Sequence, residues 1–538
     1  MKQYRIFLLL YVLAVFFAGL GYLAIMPIFE GFDEYAHYSS MRQIAYTGTI
    51  PVLGKSTIDQ TYIDYQGPLP YSHDLPPFDN GLTYAKFFKM PYTVEQYLQI
   101  YRGHPVPAPF QPSTEKNWQA QHPPLYYLLM APVAKAASSY GLITQIFILR
   151  LITFLFALTG VALGFLAVEK SETPQQESQS MIGFFLYPLI LPMFFPEFTR
   201  LGNDALCILW AGVLAFLLAA WKRDENNTKL SLAIGVTLGL GLLTKALFLP
   251  ITAALLIFLS VRLWRDKGNA ATRPQRVMNL LWMFYPALMI GGGWYLYTGS
   301  HFGVVGGGTD SALLTQQGGM IAGLKEHFSL YNWAIGIVAA FSSYIWAGTW
   351  SSVALPFRFR IPLFILAIWI MAAYVWRLRQ KPVTDFVWLP FWLFAFFVAG
   401  LFYHLMIGLA LDGRGQTPGW YLHILMPLIA PAIGVGACAL LRNRITKFVA
   451  IGAVLYAVGF QIIALWSQFA LFTGCATKTN GARYAFPGDD FCLDRIPMLI
   501  DRLYVLGWPV LAEIGFGGAV LCALLLLLVA WRSKELDA

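Results

Sequence analysis

The chain alternates between long apolar runs and short polar connections. Runs of about 17–25 apolar residues read as membrane-spanning helices. They fall at about 6–26, 147–167, 181–199, 205–221, 230–244, 246–264, 277–297, 360–376, 385–409, 420–440, 448–471 and 508–531. The pattern predicts an all-α polytopic membrane protein with about twelve helices and both ends in the cytoplasm. The first run, Ile6 to Met26, follows Met1-Lys2-Gln3-Tyr4-Arg5 and is long, with no small-x-small cleavage site after it. It reads as a retained helix rather than a signal peptide. The fifth run is short and joins the sixth at Thr244-Lys245, as in a tight hairpin. Ser329 to Trp350 is also apolar, but a crossing there would turn Arg377–Lys381 and Arg442–Lys447 outward. With Trp333, Trp346 and Trp350 it suits an interfacial or re-entrant segment.

Composition sharpens this picture. Of 538 residues, 57% are hydrophobic and 12% charged, where soluble chains carry about a quarter charged residues; a soluble multidomain reading is excluded. The net charge of +9 does not point to nucleic acid. The cations gather in short loops, Lys222/Arg223/Lys229, Arg262/Arg265/Lys267/Arg273/Arg276, Arg377/Arg379/Lys381 and Arg442/Arg444/Lys447, the arrangement that keeps loops cytoplasmic. The mildly acidic loop Glu169 to Ser180 is an exception.

The larger polar segments then lie on the other side. This divides the chain into an N-terminal transmembrane module (1–297) with a long first external loop (27–145), an external segment (298–356), and C-terminal helices (357–538) carrying an external loop at 472–507. Cys475 and Cys492 share that last loop, TGCATKTNGARYAFPGDDFCLDR. Outside the cytoplasm a disulfide persists, so the pair is expected to be bridged; two free thiols are the alternative. Cys207, Cys438 and Cys522 lie inside helices as small apolar residues.

Directly beyond the first crossing stands FDEYAHYSSMRQIAYTGTIP. Asp33 suits the N-cap of a helix running to about Thr47, which Gly48 and Pro51 stop. Asp33 and His37 are four apart and share a face; Glu34 and Tyr38 form the neighbouring pair. Two readings stand: an ordinary capped helix with acids in its first turn, or a partly desolvated carboxylate at the bilayer surface serving as general base. The same choice applies elsewhere. His122-Pro123-Pro124 either starts a helix or points a histidine into a cavity. Lys245 either snorkels or meets an anion. Asp204, beside Arg200 and Asn203, either caps a turn or joins a site. No HExxH, CxxC or EF-hand spacing suggests a metal. The glycine runs at 291–293 and 306–308 lack the strand and the GK[ST] of a phosphate loop.

Several of these stretches occur in the order found in one family. FDEYAHYSSMRQIAYTGTIP resembles the first external loop of GT-C glycosyltransferases, in particular protein O-mannosyltransferases and lipid A aminoarabinose transferases. AQHPPLYYLLMAP resembles their juxtamembrane helix, LRLITFLFAL the start of their second crossing, and TRLGNDALCILWAG and GLGLLTKALFLP their Asn-Asp-Ala and Leu-Thr-Lys patterns. The resemblance covers roughly residues 1–265 well and the rest weakly. GRGQTPGWYLHILMP departs from the late arginine-bearing helix of many relatives: Arg414 lies further from the helix, and His423 sits where it begins.

The resemblance implies a GT-C fold. It also implies transfer of a monosaccharide from a polyprenyl-phosphate donor to a glycan, lipid or protein acceptor, with inversion, at the periplasmic face of a bacterial inner membrane. The lipid-linked sugar is a substrate, and no cofactor is expected. By the same resemblance Asp33 is the base. Glu34 beside it either positions the acceptor or only compensates the helix dipole, and His37 either orients Asp33, hydrogen-bonds substrate or is a plain helix-surface histidine. The resemblance also favours Lys245 as a partner of the donor phosphate; Arg414, His122, Asp204 and His423 are the further candidates for binding donor phosphate or substrate, Arg414 despite its departure from the family's spacing. The WWD-type motif of oligosaccharyltransferases is missing, which fits a monosaccharide donor. A transporter or flippase of lipid-linked sugars is the alternative, but transporters place ionisable residues near the membrane midplane and here these gather at the external rim. A structural membrane protein would leave the DE, HPP and Lys245 series unexplained.

Overall fold

The computed structural model describes residues 2–70, 82–103, 106–170, 174–265, 273–302, 308–351, 355–415, 417–441, 444–476 and 492–536. Lys267, Arg442, the glycines at 306 and 307, and the interior of the loop between Cys475 and Cys492 fall outside them. Among the described residues nine helices are long and apolar enough to cross a membrane: Tyr4–Ile25, Leu142–Val168, Asp204–Trp221, Phe248–Arg265, Phe357–Leu378, Phe386–Asp412, Gly419–Leu440, Thr446–Phe472 and Pro509–Ala530. Each matches one of the twelve expected runs.

The other three runs form shorter or interrupted helices. Pro174–Ile190 stops after 17 residues, because Pro192 has no amide hydrogen to donate and disfavours a helical Leu191; the chain resumes as the single turn Phe194–Phe198. Thr228–Leu242 has only 15 residues. Arg273–Ala287 passes through a π turn, Leu288–Gly292, into Gly293–Phe302. The apolar stretch after Ser329 is not a straight crossing: Met320–His327 and Leu330–Ile345 meet at 109°.

Close helix approach depends on small residues. A Cβ at Gly212 would collide with the backbone of Gly160, and one at Gly160 with that of Ile208, so the Leu142–Val168 and Asp204–Trp221 helices touch backbone to backbone. The Lys2–Ile25 helix packs along Pro509–Leu536, bringing the two ends of the chain together.

A second core sits on one end of the bundle. It is built from the 27–145 segment, including Phe29, Tyr35, Tyr62, Tyr84, Tyr101 and Tyr126, together with Leu471 and Leu499. The expected helix is present as Glu34–Thr47, ending on Gly48 at φ +68°, the left-handed conformation glycine adopts without penalty. Strands Thr57–Asp59 and Pro112–Lys116 pair antiparallel, and the buried Arg42–Asp59 ion pair (2.5 Å) ties them to that helix. Arg102 donates to backbone oxygens of Tyr504, Val505 and Gly507, fastening this cap to the C-terminal helices.

Cys475 and Cys492 form the expected disulfide. The bridged cysteines stand 17 positions apart, a closure worth about 3 kcal/mol in the loop-entropy model. Peptide mapping without reductant is expected to return one cross-linked Cys475–Cys492 species, and the double serine variant to unfold at lower temperature. Two free thiols in protein purified under oxidising conditions would contradict both.

Candidate functional site

The short linker between the first crossing and the Glu34–Thr47 helix is fixed by two carboxylates. Glu34 is fully buried. It accepts from Arg150 Nε at 2.7 Å and Nη2 at 2.5 Å, and from the backbone amides of Phe29 (2.7 Å) and Leu201 (3.0 Å). Arg150 also donates to the carbonyls of Met26 (2.6 Å) and Pro27 (2.7 Å). Glu30, equally buried, accepts from Thr349 Oγ1 (2.6 Å), Ser351 Oγ (2.5 Å) and Ser351 N (3.2 Å). Its own carbonyl accepts the Trp350 amide at 2.8 Å. Held at both ends, the linker puts Phe29 (φ 66°) and Asp33 (φ 58°) in the left-handed region, which costs a non-glycine residue on the order of 1 kcal/mol or more.

That geometry decides what Asp33 does. It occupies the N-cap position, but its side chain makes no capping hydrogen bond. The expectation that it caps the helix is therefore corrected: an N-cap side chain reaches the amides from β-region backbone, and Asp33 is left-handed. Its Oδ1 accepts instead from the indole Nε1 of Trp118 at 3.1 Å. Asp33 is half-buried as a residue, its carboxylate on the inner side, and it lines a cavity of about 220 Å³ with His37, Arg200, Asp204 and Lys245, beside Phe32 and the rings of Trp350, Trp420 and Tyr421.

The far wall is a chain of ion pairs. Asp204 accepts from Lys245 Nζ at 2.9 Å on each oxygen and from Arg200 Nη2 at 3.1 Å. Arg200 is also held by Glu197 at 2.6 Å and donates to the Phe32 carbonyl at 2.9 Å. The Lys245 ammonium lies 4.4 Å from the Tyr421 ring centroid, a favourable cation–π distance. Phe32 stacks on Trp420 at 4.4 Å.

Burial pushes the Asp33 carboxyl above its usual range, against the pull of Arg200 and the Trp118 N–H. Burial, then Arg200, drives His37 well below the usual imidazole value, so the ring is neutral. Its Nδ1 lies 2.9 Å from the Tyr127 hydroxyl. Burial and Lys245 lower His122 to about 3.

Of the residues singled out in the sequence, Asp33, His37, Asp204 and Lys245 meet in this cavity. His122 stands behind it, its ring stacked on His37 with centroids 6.4 Å apart. The other three are elsewhere. Glu34 does not line the cavity; Arg150 and two amides occupy its oxygens, so it is a clamp rather than an acceptor-positioning group. Arg414 is solvent-exposed, 3.8 Å from Asp412, because the turn at Gly413 (φ +74°) directs the chain outward after its helix. His423 is fully buried among Tyr187, Phe194, Phe198 and Tyr344, in the apolar interior where its 3₁₀ turn packs.

The contributors that sequence reasoning did not assign are Arg150, Glu197, Trp118, Glu30 and the pair Trp420/Tyr421. A signal existed for two of them. Arg150 is the only charge in the 27 residues of Leu142–Val168, and such a charge needs a buried partner. Glu197 precedes Arg200 by three and Asp204 by seven, the spacing of one helical face. Among the described residues no group of three or more His, Cys, Asp or Glu is arranged to hold a metal ion.

No family model matches the chain, and no curated protein matches it. Among solved structures it is similar to the crystal structure of ArnT from Cupriavidus metallidurans bound to undecaprenyl phosphate. Identity is 13%, the TM-score is 0.43, and the match covers 96% of this chain and 76% of that one.

Proposed function

We propose that this chain is a membrane glycosyltransferase of the GT-C type. It moves a monosaccharide from a polyprenyl-phosphate donor to an acceptor hydroxyl in the cavity beneath Trp420 and Tyr421, at the external face of the membrane. The observation that carries this reading is the state of Asp33. Its carboxylate is withheld from the helix it precedes and turned to a cavity that also presents Lys245 and Arg200. Asp33 takes the acceptor proton, held in aim by the Trp118 indole. A base with a raised pKa accepts that proton more readily at neutral pH than an ordinary aspartate.

The leaving group is a lipid phosphate, and its charge falls to Lys245 and Arg200. Both cations already have carboxylate partners, so phosphate binding shares them rather than meeting them bare. A volume of about 220 Å³ is below the ~300–1,000 Å³ of sites that enclose a whole drug-sized ligand; it suits the reacting groups alone. The donor chain needs separate apolar room. A cleft of about 750 Å³ lined by Leu242, Leu249, Leu288, Tyr295 and Leu296 begins three residues before and four after Lys245, where a chain can leave the phosphate.

The direct test incubates purified protein with a panel of polyprenyl-phosphate sugars and measures polyprenyl phosphate released, with and without candidate acceptors. Release from no member of the panel would reject the reading. Within that assay Lys245→Ala is expected to weaken donor binding by roughly ten-fold or more, since charge-assisted contacts contribute ~1.5–3 kcal/mol. Arg414→Ala is expected to leave donor affinity unchanged. The reverse ranking would move the phosphate site to the Arg414 turn.

A further inference from the structure

A cavity larger than the one at Asp33 lies at the other end of the bundle. Asp204 opens the Asp204–Trp221 helix and Lys222 follows its last residue; 18 residues at 1.5 Å each put these ends ~27 Å apart. Around Lys222 opens a cavity of about 1260 Å³ with an amphipathic lining. Its deep wall is apolar, with Leu218, Ile368, Leu393 and Leu428. Among the described residues its rim carries Lys222, Arg377, Arg379 and Lys381 against one acid, Asp385. That acid is engaged locally, its Oδ1 accepting the Val387 amide at 3.2 Å to start a 3₁₀ turn.

The side chains at the rim are partly organised. Arg377 donates to Gln179 at 3.1 Å, and the Arg379 guanidinium lies 3.4 Å from the Trp376 ring centroid. Cations that only fix topology need no cavity beneath them. Here four line a space whose apolar side is formed by the Asp204–Trp221, Phe357–Leu378, Leu389–Asp412 and Met426–Leu440 helices, while Pro174–Ile190 adds the polar Gln175, Gln176, Gln179 and Ser180.

We propose that this cavity is a lipid-binding site distinct from the one at Asp33. It takes the phosphate headgroup of an anionic phospholipid on Arg377, Arg379 and Lys381, with an acyl chain along the Leu218–Leu393–Leu428 wall. The basic rim selects negative charge, as basic pockets between membrane helices do. The apolar wall selects a lipid over a soluble phosphate compound, which would leave that wall unfilled.

The test adds dioleoylphosphatidylglycerol or dioleoylphosphatidylcholine to the full-length protein in an uncharged detergent and counts bound lipids by native mass spectrometry. Wild type is expected to retain phosphatidylglycerol in preference to phosphatidylcholine. The triple variant Arg377→Gln/Arg379→Gln/Lys381→Gln is expected to bind it on the order of 100-fold more weakly, as three surface cations each contribute to attraction for an anionic lipid. Ala219→Trp leaves the rim intact and fills the cavity floor, and is expected to lose the lipid too; it also serves if the triple variant does not fold. Equal retention of the two lipids overturns the proposal, as does full retention by Ala219→Trp. Glycerol 3-phosphate displacing the lipid at matched concentration would make the ligand a soluble phosphate and overturn the lipid assignment.

Discussion

Asp33→Asn is expected to lower turnover by ~10²–10⁴, the loss that follows removal of a general base, with donor affinity and folding close to wild type. Asparagine keeps the shape of the side chain, and its carbonyl can still accept the Trp118 N–H. No cap is lost, because Asp33 makes none. Stability is not expected to fall. A carboxyl whose folded pKa is raised disfavours the native state once pH climbs above its unfolded value, so replacing it removes a cost. In wild type the base works only when ionised. Turnover is therefore expected to decline as pH falls through the raised Asp33 pKa, at a pH above the ~3.9 of an ordinary aspartate, and the residual activity of Asp33→Asn to lack that limb. The measurements are turnover against pH under saturating donor and a thermal melt of each protein. Wild-type turnover in a folded Asp33→Asn variant would sink the assignment and leave the cavity without a base.

The transmembrane scaffold was legible because bilayer thickness imposes one period on the sequence. Nine of the twelve runs appear as helices of full crossing length, and the three that fall short are interrupted by Pro192, by the hairpin turn at Thr244-Lys245, and by the π turn at Leu288–Gly292. Local spacing also showed that Asp33 and His37 share a face. What spacing could not show is the direction of a side chain whose backbone is set from a distance. Asp33 is left-handed because Glu30 and Glu34 are anchored by residues from 116 to 321 positions away. An N-cap pattern and a base look identical in the sequence; they part only when that anchoring is seen. Arg414 and His423 lie outside the cavity for a related reason. Each lies in a stretch that departs from the pattern of relatives, and turn geometry at Gly413 and aromatic packing around His423 then placed them outside the cavity. Arg150 was visible as a lone charge, but its partner lies 116 residues back.

Glu34→Gln separates a clamp from an acceptor-binding group. Glutamine has nearly the same volume and can still accept an amide, but it withdraws the charge that faces Arg150. Both partners are almost completely buried, at 0% and 2% exposure, so the guanidinium is left uncompensated away from water. Breaking one side of a buried pair costs about 3–5 kcal/mol, and the carbonyls of Met26 and Pro27 offset only part of it. The expected result is a large fall in thermal stability. The linker that carries Asp33 then loosens, and turnover drops through the population of misplaced base. At a temperature well below its melting point, with donor saturating, Glu34→Gln is expected to recover activity far more than Asp33→Asn does. The double variant Glu34→Gln/Arg150→Met removes the stranded charge as well and is expected to regain part of the lost stability, because an apolar replacement of a buried pair is often near neutral. A role in holding the acceptor predicts the opposite pattern: an unchanged melt, a raised acceptor KM, and no rescue from Arg150→Met. Measuring the melt and the acceptor KM on the same three proteins decides which of the two acids in the DE pair serves the reaction and which holds the other in place.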